Sequence, residues 1–167
     1  MKKFLIKFAE RSLSIISYFF PFIEISYYFG AKVFLSIDNI GMRYLYLRII
    51  APLSSFYEEN IYIIFIVMVG IFLVCSRGSV PLTKFLRFNV IQAILLNIIC
   101  SCIGSIYSFL PLILRETVIG VVLANTFYLG ILLIMGYSTI LIIYGRYPRI
   151  PILSEAAKLQ VQRGYQD

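Results

Sequence analysis

The chain has 167 residues, 60% of them hydrophobic and only 14% charged, with no histidine and a formal net charge of +7; its mean hydropathy is +0.91. A soluble domain carries about a quarter charged residues, so this composition excludes one and predicts a single all-α membrane domain packed helix on helix within lipid. The lack of histidine argues against a Cys/His metal site. In so apolar a chain the basic balance reads as topology and contact with anionic headgroups, with no nucleic-acid partner expected.

Residues 1–12 are a basic segment containing Lys2, Lys3, Lys7 and Arg11. Its start imitates a signal peptide, but Pro21 and Glu24 follow with no small-residue cleavage site, and no Arg/Ser-rich transit extension is visible. The chain is therefore expected to be mature as written. Four transmembrane helices are expected, at about 13–29, 61–75, 88–110 and 118–144, within one domain of residues 13–144. A helix needs about 20 residues to cross the hydrocarbon. The third span fits, the fourth must tilt or protrude, and the first two borrow from their flanks.

Glu24 is the only acid inside these spans. It either reaches the interface as an anchor or faces a partner or conduit, since a carboxylate at that depth needs partners. Between the first two spans, Met42, Leu45, Tyr46, Ile49, Leu53 and Phe56 recur at helical spacing while Arg43 and Arg48 fall off the stripe. This predicts an amphipathic interfacial segment over about 33–57, bent by Pro52, or alternatively a loop cap on the bundle. Glu58 and Glu59 then suit the N-terminus of the second span.

The third span carries most of the polar chemistry. Asn89 and Gln92 share a face near its start. Deeper, Asn97, Ser101, Gly104 and Ser108 fall within a ~60° arc at 100° per residue. Amides in hydrocarbon must find hydrogen bonds, so the stripe faces another helix or a wet cavity. It is either a seam where backbones approach closely or the wall of a polar conduit. The fourth span has Gly120 and Ala124 at small-xxx-small spacing, then Asn125, Thr126, Gly130, Gly136, Ser138 and Thr139 scattered round the helix. Packing is the expected job for most of them.

With four spans, 11 of the 15 Lys and Arg fall on the side of the N-terminus, the 76–87 loop and the tail. That asymmetry places both termini on the synthesis side. Cys75, Cys100 and Cys102 sit in or beside spans and give no disulfide framework. There is no metal-protease motif, no phosphate-binding glycine loop and no paired-Asp motif, so no enzyme, cofactor or nucleotide site is expected. The tail, 145–167, opens with Gly145, Pro148 and Pro151, which force an extended exit, and Ser154 is placed to N-cap a short helix starting at Glu155.

Two segments carry a family resemblance: FLRFNVIQAILLNI (85–98) and GRYPRIPILSEAAKLQV (145–161). With PFIE (21–24) and the spacing of the spans, the chain resembles the Tic-twenty (Tic20) family, small four-span components of the translocon at the chloroplast inner envelope membrane. Arg149 departs from the family pattern, where an acid or neutral residue is expected. The resemblance implies a non-enzymatic subunit that helps form the path for precursor polypeptides, with other translocon subunits and membrane lipids as partners. It implies a plastid inner-envelope location with stromal termini, or the plasma membrane for a cyanobacterial relative. On this reading Asn89, Gln92, Asn97 and Ser101 line or flank the path, with Gly104 and Ser108 further along the same face. Arg87 holds the stromal mouth, and Tyr147, Pro148, Pro151, Ser154 and Glu155 form the tail motif. The rival is a structural subunit whose polar stripe is an assembly seam. A small-solute transporter is weaker, because no inverted repeat or broken-helix pair is evident.

Overall fold

The computed structural model describes residues 2–36, 38–77 and 80–163, and every regular element among them is helical. The side chains of Lys2, Lys3 and Arg163, residues 78–79 of the loop and the last four residues of the expected tail lie outside what is described.

The expected first span is not one straight helix. α1 (Lys2–Ser17) stops because Pro21 has no N–H for the Ser17 carbonyl and its ring crowds that position. The chain makes one tight turn, Tyr18 N–H reaching the Ile15 carbonyl at 3.0 Å. It resumes as α2 (Phe19–Ile25), then widens into a π-helical turn over Ser26–Gly30 before α3 (Ala31–Ser36). The wide turn shifts the register by one residue. Ile25, Ser26, Phe29, Val33 and Phe34 all end up inside.

α4 (Ile40–Leu45) is capped by Asn39, whose Oδ1 accepts from Gly41 N–H at 2.8 Å. A second π-helical turn, Tyr46–Ile50, runs up to α5 (Ala51–Glu59). Pro52 leaves the Arg48 carbonyl without its i+4 donor, which accounts for a break there. The stripe expected on this segment is split, only part of it facing the bundle. Met42, Tyr46, Ile50 and Tyr57 turn to the bundle, whereas Leu45, Ile49 and Phe56 are exposed. Apolar side chains stand on both sides, so the segment lacks the single polar face of the expected amphipathic helix.

At Asn60 the chain turns by 82° into α6 (Ile61–Arg77). α7 (Lys84–Phe109) follows, with Thr83 Oγ1 accepting from Leu86 N–H at 3.4 Å. Pro111 and the short α8 (Leu112–Glu116) lead into α9 (Val118–Ile143), N-capped by Thr117. α10 (Leu153–Arg163) closes the described chain.

Among the described residues, α7 and α9 are long and apolar enough to cross a membrane, and the bent pair α4–α6 makes a third candidate if it counts as one span. This corrects the expected four. At 1.5 Å per residue α6 rises only about 25 Å, short of the ~30 Å hydrocarbon core, and the first expected span is interrupted at Tyr18 and again at Ser26–Gly30.

α7 is the hub. α1 and α2 pack along it, and α6 and α10 lie against it as well. One core gathers Ile25, Phe29, Leu96, Cys100, Tyr128 and Ile142. The other gathers Met68, Cys75, Ile91, Ile94 and Ala157 between α6, α7 and α10. α9 buries Gly120, Ala124, Tyr128, Ile131, Ser138 and Ile142. Gly120, Ala124 and Ser138 thus belong to one packing face, whereas a Cβ added at Gly130 or Gly136 would meet nothing within 4 Å.

Candidate functional site

Glu24, on α2, is 1% exposed. A carboxylate held away from water and headgroups is costly unless donors meet it. Here the Tyr57 hydroxyl donates to Oε2 and the Ser101 hydroxyl to Oε1, and the Asn97 side chain adjoins the carboxylate. One carboxylate therefore ties α2, α5 and α7 together. One turn further along α7, a Cβ on Gly104 would stand 2.1 Å from the Tyr28 ring, so only glycine admits the Ser26–Gly30 turn at that distance. Beside it the Tyr28 and Ser105 hydroxyls are 3.3 Å apart. Asn97, Ser101 and Gly104 accordingly face the first helical segment. Ser108, the outermost member of the stripe, is exposed, and its hydroxyl turns back to the Gly104 carbonyl at 2.9 Å.

A second polar cluster lies at the start of α7. Gln92 is fully buried and its Nε2 donates towards Ser154 Oγ and the Pro148 carbonyl at 3.4 and 3.5 Å. Ser154 Oγ accepts from Ile150 N–H at 2.6 Å and directs its proton to the Ile150 and Pro148 carbonyls at 2.8 and 3.2 Å. Ser154 is therefore not the N-cap of a helix beginning at Glu155. α10 starts at Leu153, and the hydroxyl holds the preceding loop. Tyr147 lies edge-on to Phe85 and Phe88, with ring centroids 5.3 and 5.1 Å away. Pro148 is buried, while Pro151 and Glu155 are exposed. Asn89, also fully buried, gives its Nδ2 to the Phe85 carbonyl one turn back. The two segments that carried the family resemblance are packed on each other.

Two arginines close helix ends beside this cluster. Arg87, expected at a stromal mouth, is 2% exposed and turned into the fold. Its Nε donates to the Cys75 carbonyl at 2.6 Å and its Nη2 to the Ser76 carbonyl at 3.0 Å, capping α6. Arg11 Nη1 donates to the Ile143 carbonyl at 2.8 Å, where α9 ends in a turn through Gly145 at φ +71°. Cations suit these C-terminal carbonyls, whose lone pairs and dipole ends would otherwise be unmet. Tyr57, Tyr28 and Arg11 were not singled out as site residues by the sequence. No spacing links them to Glu24, Gly104 or Ile143, because kinks set those meetings.

The family model described as "Chloroplast import apparatus Tic20-like" matches residues 6–157. The chain is 32% identical over 159 residues to a "Tic20 family protein Ycf60" of Gracilaria tenuistipitata var. liui, covering 93% of this chain and 77% of the relative. It is 33% identical over 150 residues to a protein of the same name in Cyanidium caldarium, covering 90% and 72%. A "Tic20 family protein" of Synechocystis sp. (strain ATCC 27184 / PCC 6803 / Kazusa) is 30% identical over 154 residues, covering 92% and 93%. The family match takes in the first packed segment, the second as far as Ala157, the kinked first helices and the α7–α9 hairpin, and the chain belongs to the Tic20 family.

Proposed function

We propose that this chain is a non-enzymatic membrane subunit of a plastid protein-import translocon, seated in the inner envelope with both termini stromal. Its part is that of a framework: a bundle held shut along α7, against which other subunits or further copies complete the path for precursor polypeptides. The observation that carries this reading is the hold on Glu24 by Tyr57 and Ser101, with Asn97 beside it. Of the residues suited to line a conduit, Ser101 is engaged in joining α7 to α2 through Glu24.

A path-lining reading has its own support. The side-chain oxygens of Asn89, Gln92 and Asn97 are buried without a hydrogen-bond partner among the described residues. An extended polypeptide passing along α7 could donate its backbone N–H groups to them.

Asn97→Leu separates the two. On the framework reading the complex falls apart on a native gel, and import fails in proportion. Slow import through a complex that runs intact on the gel would instead place Asn97 on the path.

A further inference from the structure

The chain between α9 and α10 takes a strained course. Leu153 N–H closes back on the Pro151 carbonyl at 2.7 Å around Ile152, whose φ is +67°. This is a γ-turn of the rarer hand, and for a β-branched residue that backbone is costly. Such strain persists only where the surroundings hold it. Here Ser154 Oγ braces the turn by accepting from Ile150 N–H at 2.6 Å. The braced loop sets Arg149, Ile150 and Pro151 opposite Leu133, Ile134 and Tyr137 of α9, around a pocket of about 280 Å³. Ile150 is buried and Ile134 packs against the core, which makes the inner wall firm and apolar. Arg149 and Tyr137 are exposed. No acid lines the pocket, and among the described residues Arg149 has no hydrogen-bond or ion-pair partner.

The level of this pocket in a bilayer follows from α9. At about 1.5 Å per residue its 26 residues rise about 39 Å, more than the ~30 Å hydrocarbon core. Its last turns therefore reach the headgroups. Tyr137 lies six residues before the end of the helix, at the level where tyrosines anchor an interface, and Leu133 lies one turn deeper. We propose that the pocket binds the phosphate-bearing headgroup of an anionic membrane phospholipid. The Arg149 guanidinium, a planar fork suited to two phosphate oxygens, holds the headgroup. The Tyr137 hydroxyl donates to the phosphate or the glycerol esters, and an acyl chain descends over Leu133 and Ile134. Free phosphate would meet Arg149 equally well but would leave that apolar wall uncovered. The proposal rests on α9 being a span and is independent of the import role. Its consequence is that a bound lipid fixes the loop through which α9 hands the chain to α10.

The test titrates the full chain, purified in detergent, with phosphatidylglycerol and with phosphatidylcholine, counting bound lipid by native mass spectrometry, with inorganic phosphate as competitor. Wild type is expected to hold phosphatidylglycerol in preference to phosphatidylcholine. Arg149→Gln should weaken the tightest-bound phosphatidylglycerol about fivefold, the worth of one basic group near an anionic surface. Tyr137→Phe keeps the ring, loses one donor and should weaken it about two- to fivefold. Arg146→Gln removes equal charge from the same loop outside the pocket, and should leave binding within about twofold. Equal weakening in that control would reduce the effect to diffuse surface charge and overturn the site. So would an unchanged affinity in either pocket variant, equal binding of the two lipids, or displacement of the lipid by millimolar phosphate.

Discussion

Glu24 accepts from two uncharged hydroxyls, so its hold on the bundle depends on shape as much as on charge. Glu24→Gln retains an oxygen for Tyr57 or Ser101, whereas Glu24→Leu leaves buried donors unmet, at about 1–3 kcal/mol for each. The leucine variant is expected to melt clearly lower in detergent than the glutamine variant. Equal melting would mean that the hydrogen bonds contribute nothing. Gly104 is the other sensitive position. Because the nearest Tyr28 atoms include Cγ, at the root of the ring, the ring cannot simply swing aside. Gly104→Ala should cost about 1–3 kcal/mol through overpacking, read as a lowered unfolding midpoint.

At the scale of elements, breaks decide which residues meet. The arc of Asn97, Ser101 and Gly104 was legible in the sequence because α7 is regular and 100° per residue applies along it. What faces that arc was not legible. Pro21 and the first π-helical turn reset the phase before Ala31, and the second, at Tyr46–Ile50, does so within the stripe counted from Met42, so Ile50 is buried where Ile49 was expected. The same breaks explain why four apolar stretches yield two clear spans. Hydropathy counts residues, but an interrupted stretch does not keep one axis. The tail shows the opposite case. Its prolines and Gly145 correctly marked a helix stop and an extended exit. The return of α10 onto α7 depended on Gln92 and Ser154, 62 residues apart. Ser154→Ala removes the acceptor for Ile150 N–H and a partner for Gln92. Limited trypsin cleavage at Lys158 should then run faster than in wild type, with the α7–α9 hairpin still protected. Unchanged cleavage would show that Leu153, Ala157 and Val161 hold the tail without the serine.

For the molecule as a whole, basic residues also act locally. Arg11 and Arg87 cap the C-terminal ends of α9 and α6, and Lys32 pairs with Glu116 at 2.5 Å. The framework reading makes a strong claim: the α2–α7 seam stays closed while a precursor crosses. The Gly104 Cβ position lies 2.2 Å from Tyr28 Cγ, so cysteines placed at both positions bring their Cβ atoms within the ~4 Å a disulfide needs. The decisive measurement is import by Tyr28→Cys with Gly104→Cys, with Cys75, Cys100 and Cys102 changed to alanine, before and after oxidation. The account predicts the same import rate with the seam locked or free. Import that stops on oxidation and returns with reductant would contradict it, and would make the seam the path.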